Sequence, residues 1–120
     1  MAISTTTGSG TLTTLLVSTG TDLVVPENES VSLLQNESVT ITGSGTNVLF
    51  LGRVSTTDDG QCQANLTVDS TTIYSDATGQ QIIARLALGA GSHTITFTAF
   101  ALSNDVTANV FGLTIVDLGL

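Results

Sequence analysis

The strongest constraint on this chain is the alternation from residue 85 to residue 100, Arg85-Leu-Ala-Leu-Gly-Ala-Gly-Ser-His-Thr-Ile-Thr-Phe-Thr-Ala-Phe100. After the glycines, Thr94, Thr96 and Thr98 alternate with His93, Ile95, Phe97 and Ala99. A period of two built from β-branched residues puts one set of side chains on each side of an extended strand. Gly89-Ala-Gly-Ser92 supplies glycines that tolerate φ > 0, so the stretch reads as strand, tight turn and strand, a hairpin. Phe97 and Phe100 are an odd number apart and fall on opposite faces. One is expected in a core and the other outside it.

The same period recurs along the chain. Gln61–Asp69 alternates Cys62, Ala64, Leu66 and Val68 with Gln61, Gln63, Asn65, Thr67 and Asp69. Asn47–Ser55 carries Val48, Phe50 and Val54 on one face, with Leu49, Leu51 and Arg53 on the other. Both of its faces start apolar, so a neighbouring subunit is expected over the second. Shorter candidates are Thr11–Val17, Asp22–Val25 ahead of the lone proline Pro26, and Ile82–Leu88. Val106–Leu118 is expected to close the fold with a bend at Gly112. Ser70–Gln81 reads as irregular, and Thr42-Gly-Ser-Gly-Thr46 as a loop. Asn28-Glu-Ser-Val-Ser-Leu33 is echoed by Asn36-Glu-Ser-Val-Thr-Ile41. Two copies are too few for a solenoid, and two strands with similar surroundings explain the echo. With turns every 8–12 residues, the expectation is an all-β, antiparallel jelly-roll β-sandwich of about eight strands. Residues 1–10 would form a flexible or extended Ser/Thr/Gly arm, and residues 11–120 a single domain.

Charge narrows the function. Charged residues are 10% of the 120-residue chain, against roughly 25% in a typical domain. Two arginines and no lysine stand against ten acids, for a net charge of -8. Phosphate recognition needs Lys and Arg, so nucleic acid is not an expected partner, and anionic membranes are disfavoured in the same way. No apolar run reaches the roughly 20 residues of a membrane helix, and the N-terminus lacks the basic and apolar regions of a signal peptide. Synthesis and retention in a cytoplasm until assembly is the expectation.

Catalytic residues are scarce. One histidine and one cysteine, His93 and Cys62, leave no transition-metal set and no internal disulfide. His93 enters a Thr-alternating strand, which suits a hydrogen-bonded structural residue. Cys62 sits on an apolar strand face as a small hydrophobe. Calcium could be offered Asp58, Asp59, Asp69, Asp76 and Asp105, all in turns or at strand ends. Turns, however, use Asp for its own backbone hydrogen bonds, and no Asp-x-Asp-x-Asp loop is present. Spacing leaves paired carboxylates for glycoside hydrolysis open. Sugar sites favour aromatic platforms, and this chain has no Trp, one Tyr (Tyr74) and four Phe. Phe50, Phe97 and Phe111 lie in buried patterns. The expectation is a non-enzyme with no cofactor.

Leu88-Gly-Ala-Gly-Ser-His-Thr-Ile-Thr96 resembles a pattern in bacterial and phage-borne jelly-roll domains. These domains are similar to the globular head of complement proteins and to tumour-necrosis-factor trimers. Leu66-Thr-Val-Asp69 and Phe111-Gly-Leu-Thr-Ile-Val-Asp-Leu-Gly119 match in the same order, so the resemblance covers residues 47–120. It implies a homotrimer. The low charge, the Thr-rich composition and the polar arm are also similar to capsid decoration, or cement, proteins of tailed phages. That likeness implies a virion structural protein on the capsid surface, with itself and the major capsid protein as partners. Candidate subunit contacts are Leu49, Leu51, Phe100 and Leu102. Candidate capsid contacts are Ala2, Ile3, Thr5 and Thr7 on the arm. The alternative is a receptor- or glycan-binding knob of a phage fibre.

Overall fold

The computed structural model describes residues 2–20, 22–34 and 38–119, so part of the echo, Asn36 and Glu37, lies outside the described residues. Eleven strands are present among them: β1 (Ala2–Thr5), β2 (Thr13–Thr19), β3 (Leu23–Val25), β4 (Ser30–Ser32), β5 (Val39–Ser44), β6 (Asn47–Thr56), β7 (Cys62–Val68), β8 (Thr71–Ala77), β9 (Gln81–Ala87), β10 (Ala90–Ala101) and β11 (Val106–Asp117). One sheet has the order β1-β2-β11-β6-β9, with β3 also on β11. The other has the order β4-β10-β7-β8, with β5 also on β10. Strand pairing within both sheets is antiparallel, and the fold is a jelly-roll sandwich.

The strands close on a core that the alternation marks out. Val48, Phe50 and Val54 of β6, and Cys62, Ala64, Leu66 and Val68 of β7, all point inward and are buried. Ile95, Phe97, Ala99 and Ala101 of β10 meet Leu113 and Ile115 of β11 in the same core. Each large apolar side chain taken out of water contributes about 1.5–3 kcal/mol, and stacking two half-apolar sheets is the arrangement that buries them all. Phe97 is 1% exposed whereas Phe100 is half-buried on the outer side, so the odd separation does divide them between faces.

Three expectations are corrected. First, Gly89–Ser92 does not close a hairpin. β9 pairs with β6 in one sheet, β10 pairs with β4, β5 and β7 in the other, and Gly89 lies at the corner between sheets. The corner is fastened by Leu88 N–H to the Thr46 carbonyl at 3.3 Å, and by His93 to the Gly89 carbonyl at 2.6 Å. A glycine suits a corner for the same reason it suits a turn, so the residues alone read either way. Second, Ser70–Gln81 contains β8, joined to β7 by a two-residue hairpin. Asp69 and Ser70 both have positive φ, 50° and 68°, as a type I′ turn requires. Third, Thr42-Gly-Ser44 is the end of β5, and the chain turns only at Gly45-Thr46. The echo has a structural cause. Ser30–Ser32 and the described part of its second copy, Val39–Ile41, lie one after the other along the same edge of β10.

The segment read as an arm is extended and hydrogen-bonded within the chain. β1 pairs with β2 from Ala2↔Thr19 to Thr5↔Leu16, and Ile3 packs half-buried against the core. Beyond β1, Thr6 N–H donates to the Leu15 carbonyl, and Gly8 N–H donates to that of Thr42.

Candidate interaction surface

Register defines the outer face of the β1-β2-β11-β6-β9 sheet. One row runs Ile83–Leu51–Thr114–Val17–Ser4 across all five strands, about 19 Å at the usual strand spacing. Ile83 is 65% exposed, Val17 39% and Leu51 37%. The adjacent row runs Arg85–Leu49–Val116, and on the other side lie Gln81, Arg53 and Gly112. Both arginines of the chain are therefore on this face, exposed, on either side of Leu51 and Ile83. No described acid points outward from these strands. A pocket of about 250 Å³ opens where β6 meets β9, lined by Leu51, Gly52, Arg53, Gln81, Ile82 and Ile83.

The acids lie elsewhere. Asp22, Glu27, Glu29, Asp58 and Asp105 are exposed in the connections β2–β3, β3–β4, β6–β7 and β10–β11. Those loops share one end of the sandwich, as shown by Glu27 N–H to Asp105 Oδ1 at 2.8 Å and Thr57 N–H to the Thr107 carbonyl at 3.0 Å. Leu102, 48% exposed, follows β10 at this same end, where its N–H meets the Gln61 carbonyl at 2.7 Å. Phe100 sits just before it, opposite Gln63 and Ser30.

The structure thus groups the four candidate subunit contacts into two pairs. Leu49 and Leu51 lie on the outer face of one sheet. Phe100 and Leu102 lie at the end of a central strand of the other. Strand parity tells inside from outside but not which sheet a strand joins. Of the candidate capsid contacts, Thr5 and Thr7 are exposed, Ile3 is half-buried against the core, and Ala2 pairs with Thr19. Ile83 and Arg85 complete the exposed face and were not singled out in the sequence. The adjacent Ile82-Ile83 pair was the available signal, since two consecutive apolar strand residues must face opposite ways.

Opposite the acidic end, Asp117 is wholly buried on the inward side of β11. Ser44 N–H and Oγ–H donate to its Oδ2 at 3.1 and 2.6 Å, Gly119 N–H donates to Oδ1 at 3.0 Å, and Thr46 Oγ–H also donates to Oδ1. Burial pushes its pKa up, but these donors outweigh it and hold the carboxyl at about 2. Asp117 is thus a charged pin that ties the β5–β6 corner to β11. An acid on the inward parity of a strand was the signal for it. Nearby, His93 Nδ1 meets Asp69 Oδ2 at 2.6 Å and its Nε2 meets the Gly89 carbonyl at 2.6 Å, while Thr94 N–H donates to Asp69 Oδ1 at 2.9 Å. With an acceptor at each ring nitrogen, the imidazolium is favoured. The Asp69 hydrogen bond and then the Gly89 carbonyl raise the His93 pKa, and the His93 hydrogen bond and then Thr94 N–H lower that of Asp69.

Asp59, Asp76 and Asp105 accept hydrogen bonds of their own. Asp59 Oδ1 accepts from Thr56 N–H at 2.7 Å and from Thr78 Oγ–H at 2.9 Å, Asp105 takes Glu27 N–H, and Asp76 takes Ala77 N–H at 2.7 Å. Among the described residues no three His, Cys, Asp or Glu side chains gather as a metal site. Tyr74 is half-buried and packs against the core.

No protein-family model and no curated protein matches the sequence. Solved structures do match in fold. The CBM36-1 domain of a multidomain xylanase from the hindgut metagenome of Trinervitermes trinervoides superposes with a TM-score of 0.51 at 16% identity, covering 78% of this chain and 95% of that one. The infectious bursal disease virus VP2 subviral particle superposes with a TM-score of 0.54 at 12% identity, covering 90% of this chain and 33% of that one. The chain therefore spans about a third of the VP2 chain. At these identities the likeness establishes a shared sandwich fold, found in a viral particle and in a module of a larger enzyme.

Proposed function

We propose that the protein is a virion structural protein, a decoration or cement protein that binds as a trimer on the outside of a tailed-phage shell and stabilises it. The observation that carries this is the outer face of the β1–β9 sheet. It carries exposed Ile83, Leu51 and Val17 in one row across the five strands, with Leu49 and Val116 in the next, and no described residue of the same chain lies over them. Isolated exposed apolar residues are ordinary, whereas apolar residues grouped on one sheet face suit a contact surface. The occurrence of the same fold in a viral particle supports the reading.

The mechanism is multivalent. Each copy makes a modest contact with the shell through the exposed edge near Thr5 and Thr7, and joining copies turns the second and third contacts into intramolecular events. Avidity of this kind exceeds a single affinity by about 10²–10⁴ without new contacts. The reading is tested with shells lacking the protein, pelleted after mixing with it. Saturable co-sedimentation that falls at least tenfold for Thr5→Asp/Thr7→Asp, with the oligomer intact, supports it. No co-sedimentation with any shell, together with a specific hit on a glycan array, would favour the fibre-knob reading instead.

A further inference from the structure

The two apolar groups and the two kinds of charge are complementary to each other. The β6–β9 face carries Leu51 and Ile83 between Arg53 and Arg85, with no described acid among them. The loop end carries exposed Leu102 beside Glu27 and Glu29. We propose that these surfaces bind each other between copies: the arginine-flanked face of one subunit seats the acidic, leucine-tipped end of the next. The occupant of the face is thus a second copy of this chain.

Three arguments select this pairing. A face-to-face dimer is isologous and would bring arginines against arginines with no carboxylate to neutralise them. Contact between the outer faces of the two sheets joins surfaces that point in opposite directions, and such a series runs on as a line instead of closing. The face and the end, by contrast, are roughly perpendicular, because the 10- and 12-residue strands β6, β10 and β11 run along the 44 Å axis of the 44 × 22 × 20 Å molecule. A head-to-tail contact that turns a corner at each step closes after a few copies. The end is only 22 × 20 Å across, less than the ~800 Å² per partner of a standard interface, so each contact is weak alone and gains from ring closure. The contact also joins, across two copies, residues that lie apart within one: Leu51 on the face and Leu102 on the end.

This inference rests on the self-assembling half of the proposed function and not on the shell. The test uses the full chain in sedimentation velocity over the micromolar range, with circular dichroism confirming the fold of every variant. Wild type should form a small closed oligomer. Arg53→Glu/Arg85→Glu, and separately Glu27→Arg/Glu29→Arg, should each weaken association at least tenfold. The chain carrying all four substitutions should regain it, because each contact again joins opposite charges and the net charge is unchanged. Mixing the two double variants should restore part of the association, because two of the three contacts in a trimeric ring then join opposite charges, and this readout does not depend on the quadruple variant folding. A wild type that stays monomeric throughout, a face variant that associates like wild type, or double variants whose association does not rise on mixing overturns the proposal. A monomer that still binds shells would sink this contact alone. An oligomer that binds none would sink the decoration reading alone.

Discussion

Asp117→Asn should destabilise the protein by about 2–3 kcal/mol at neutral pH, and this cost should vanish in acid. The same hydrogen bonds give the magnitude in two ways. Moving a carboxyl from 3.8 in the unfolded chain to about 2 in the fold is worth about 2 kcal/mol at neutral pH. The site also holds four donors, from Ser44, Thr46 and Gly119, and hydrogen bonds to a charged acceptor contribute about 1.5–3 kcal/mol each without adding fully. Asparagine keeps the shape but offers one acceptor oxygen and turns an NH₂ toward the remaining donors. For a chain of this length the loss lowers Tm by about 10 °C and the urea midpoint by about 1 M. Far-UV circular dichroism is the signal, since there is no tryptophan. The sign follows from the lowered pKa: the stability is fully present above 3.8 and is lost as pH falls toward 2. The wild-type advantage over Asp117→Asn should therefore shrink by about 2 kcal/mol between pH 5 and pH 2. A variant as stable as wild type at pH 7, or an equal difference at both pH values, would refute the reasoning.

Ile83→Asp should abolish self-association in sedimentation while changing stability by only about 0.5 kcal/mol, because its side chain is largely exposed in the single chain. His93→Gln should remove stability that wild type has below the ordinary histidine value near 6.5, and the difference should fade as pH rises through the raised pKa. In acid the same difference should fade again as Asp69 protonates below its usual range, so chemical denaturation across pH should show it largest between the two. Gly20→Ala should cost about 1–3 kcal/mol by overpacking, because its Cβ would stand 2.0 Å from the Phe111 ring; a calorimetric Tm checks it. Cys62, 1% exposed and with its thiol pKa raised by burial, should react with a disulfide reagent only at the rate of unfolding.

Period and parity decide how much of the fold is legible in the residues. β7 and β10 alternate apolar and polar residues cleanly, so their inward faces could be read directly, whereas β6 and β11 hold consecutive apolar residues that leave parity less sharp. β8 could not, because Thr71–Ala77 is an edge strand with no fully buried position, and no apolar period betrays it. β1 was hidden in the same way, as a Ser/Thr-rich stretch whose single anchor is Ile3. Gly89 and Gly91 announced a change of direction without saying whether the chain returned in its own sheet or crossed to the other. The contact residues show the same limit. Leu49 and Leu51 were identifiable as outward and apolar, but their grouping with Ile83 and Arg85, and their separation from Phe100 and Leu102, is a matter of strand pairing between distant segments. Asp117 is the converse case: a polar residue on an apolar parity, whose meaning appears only when Ser44 and Thr46 are brought to it across 71 and more residues.

A role on a viral shell is tested most directly by the copy number of this chain in purified virus particles, measured by quantitative mass spectrometry against the major shell protein. The decoration reading predicts a stoichiometry fixed by the shell lattice, with the chain present in a constant proportion to shell subunits. A few copies per particle, or none, would contradict it.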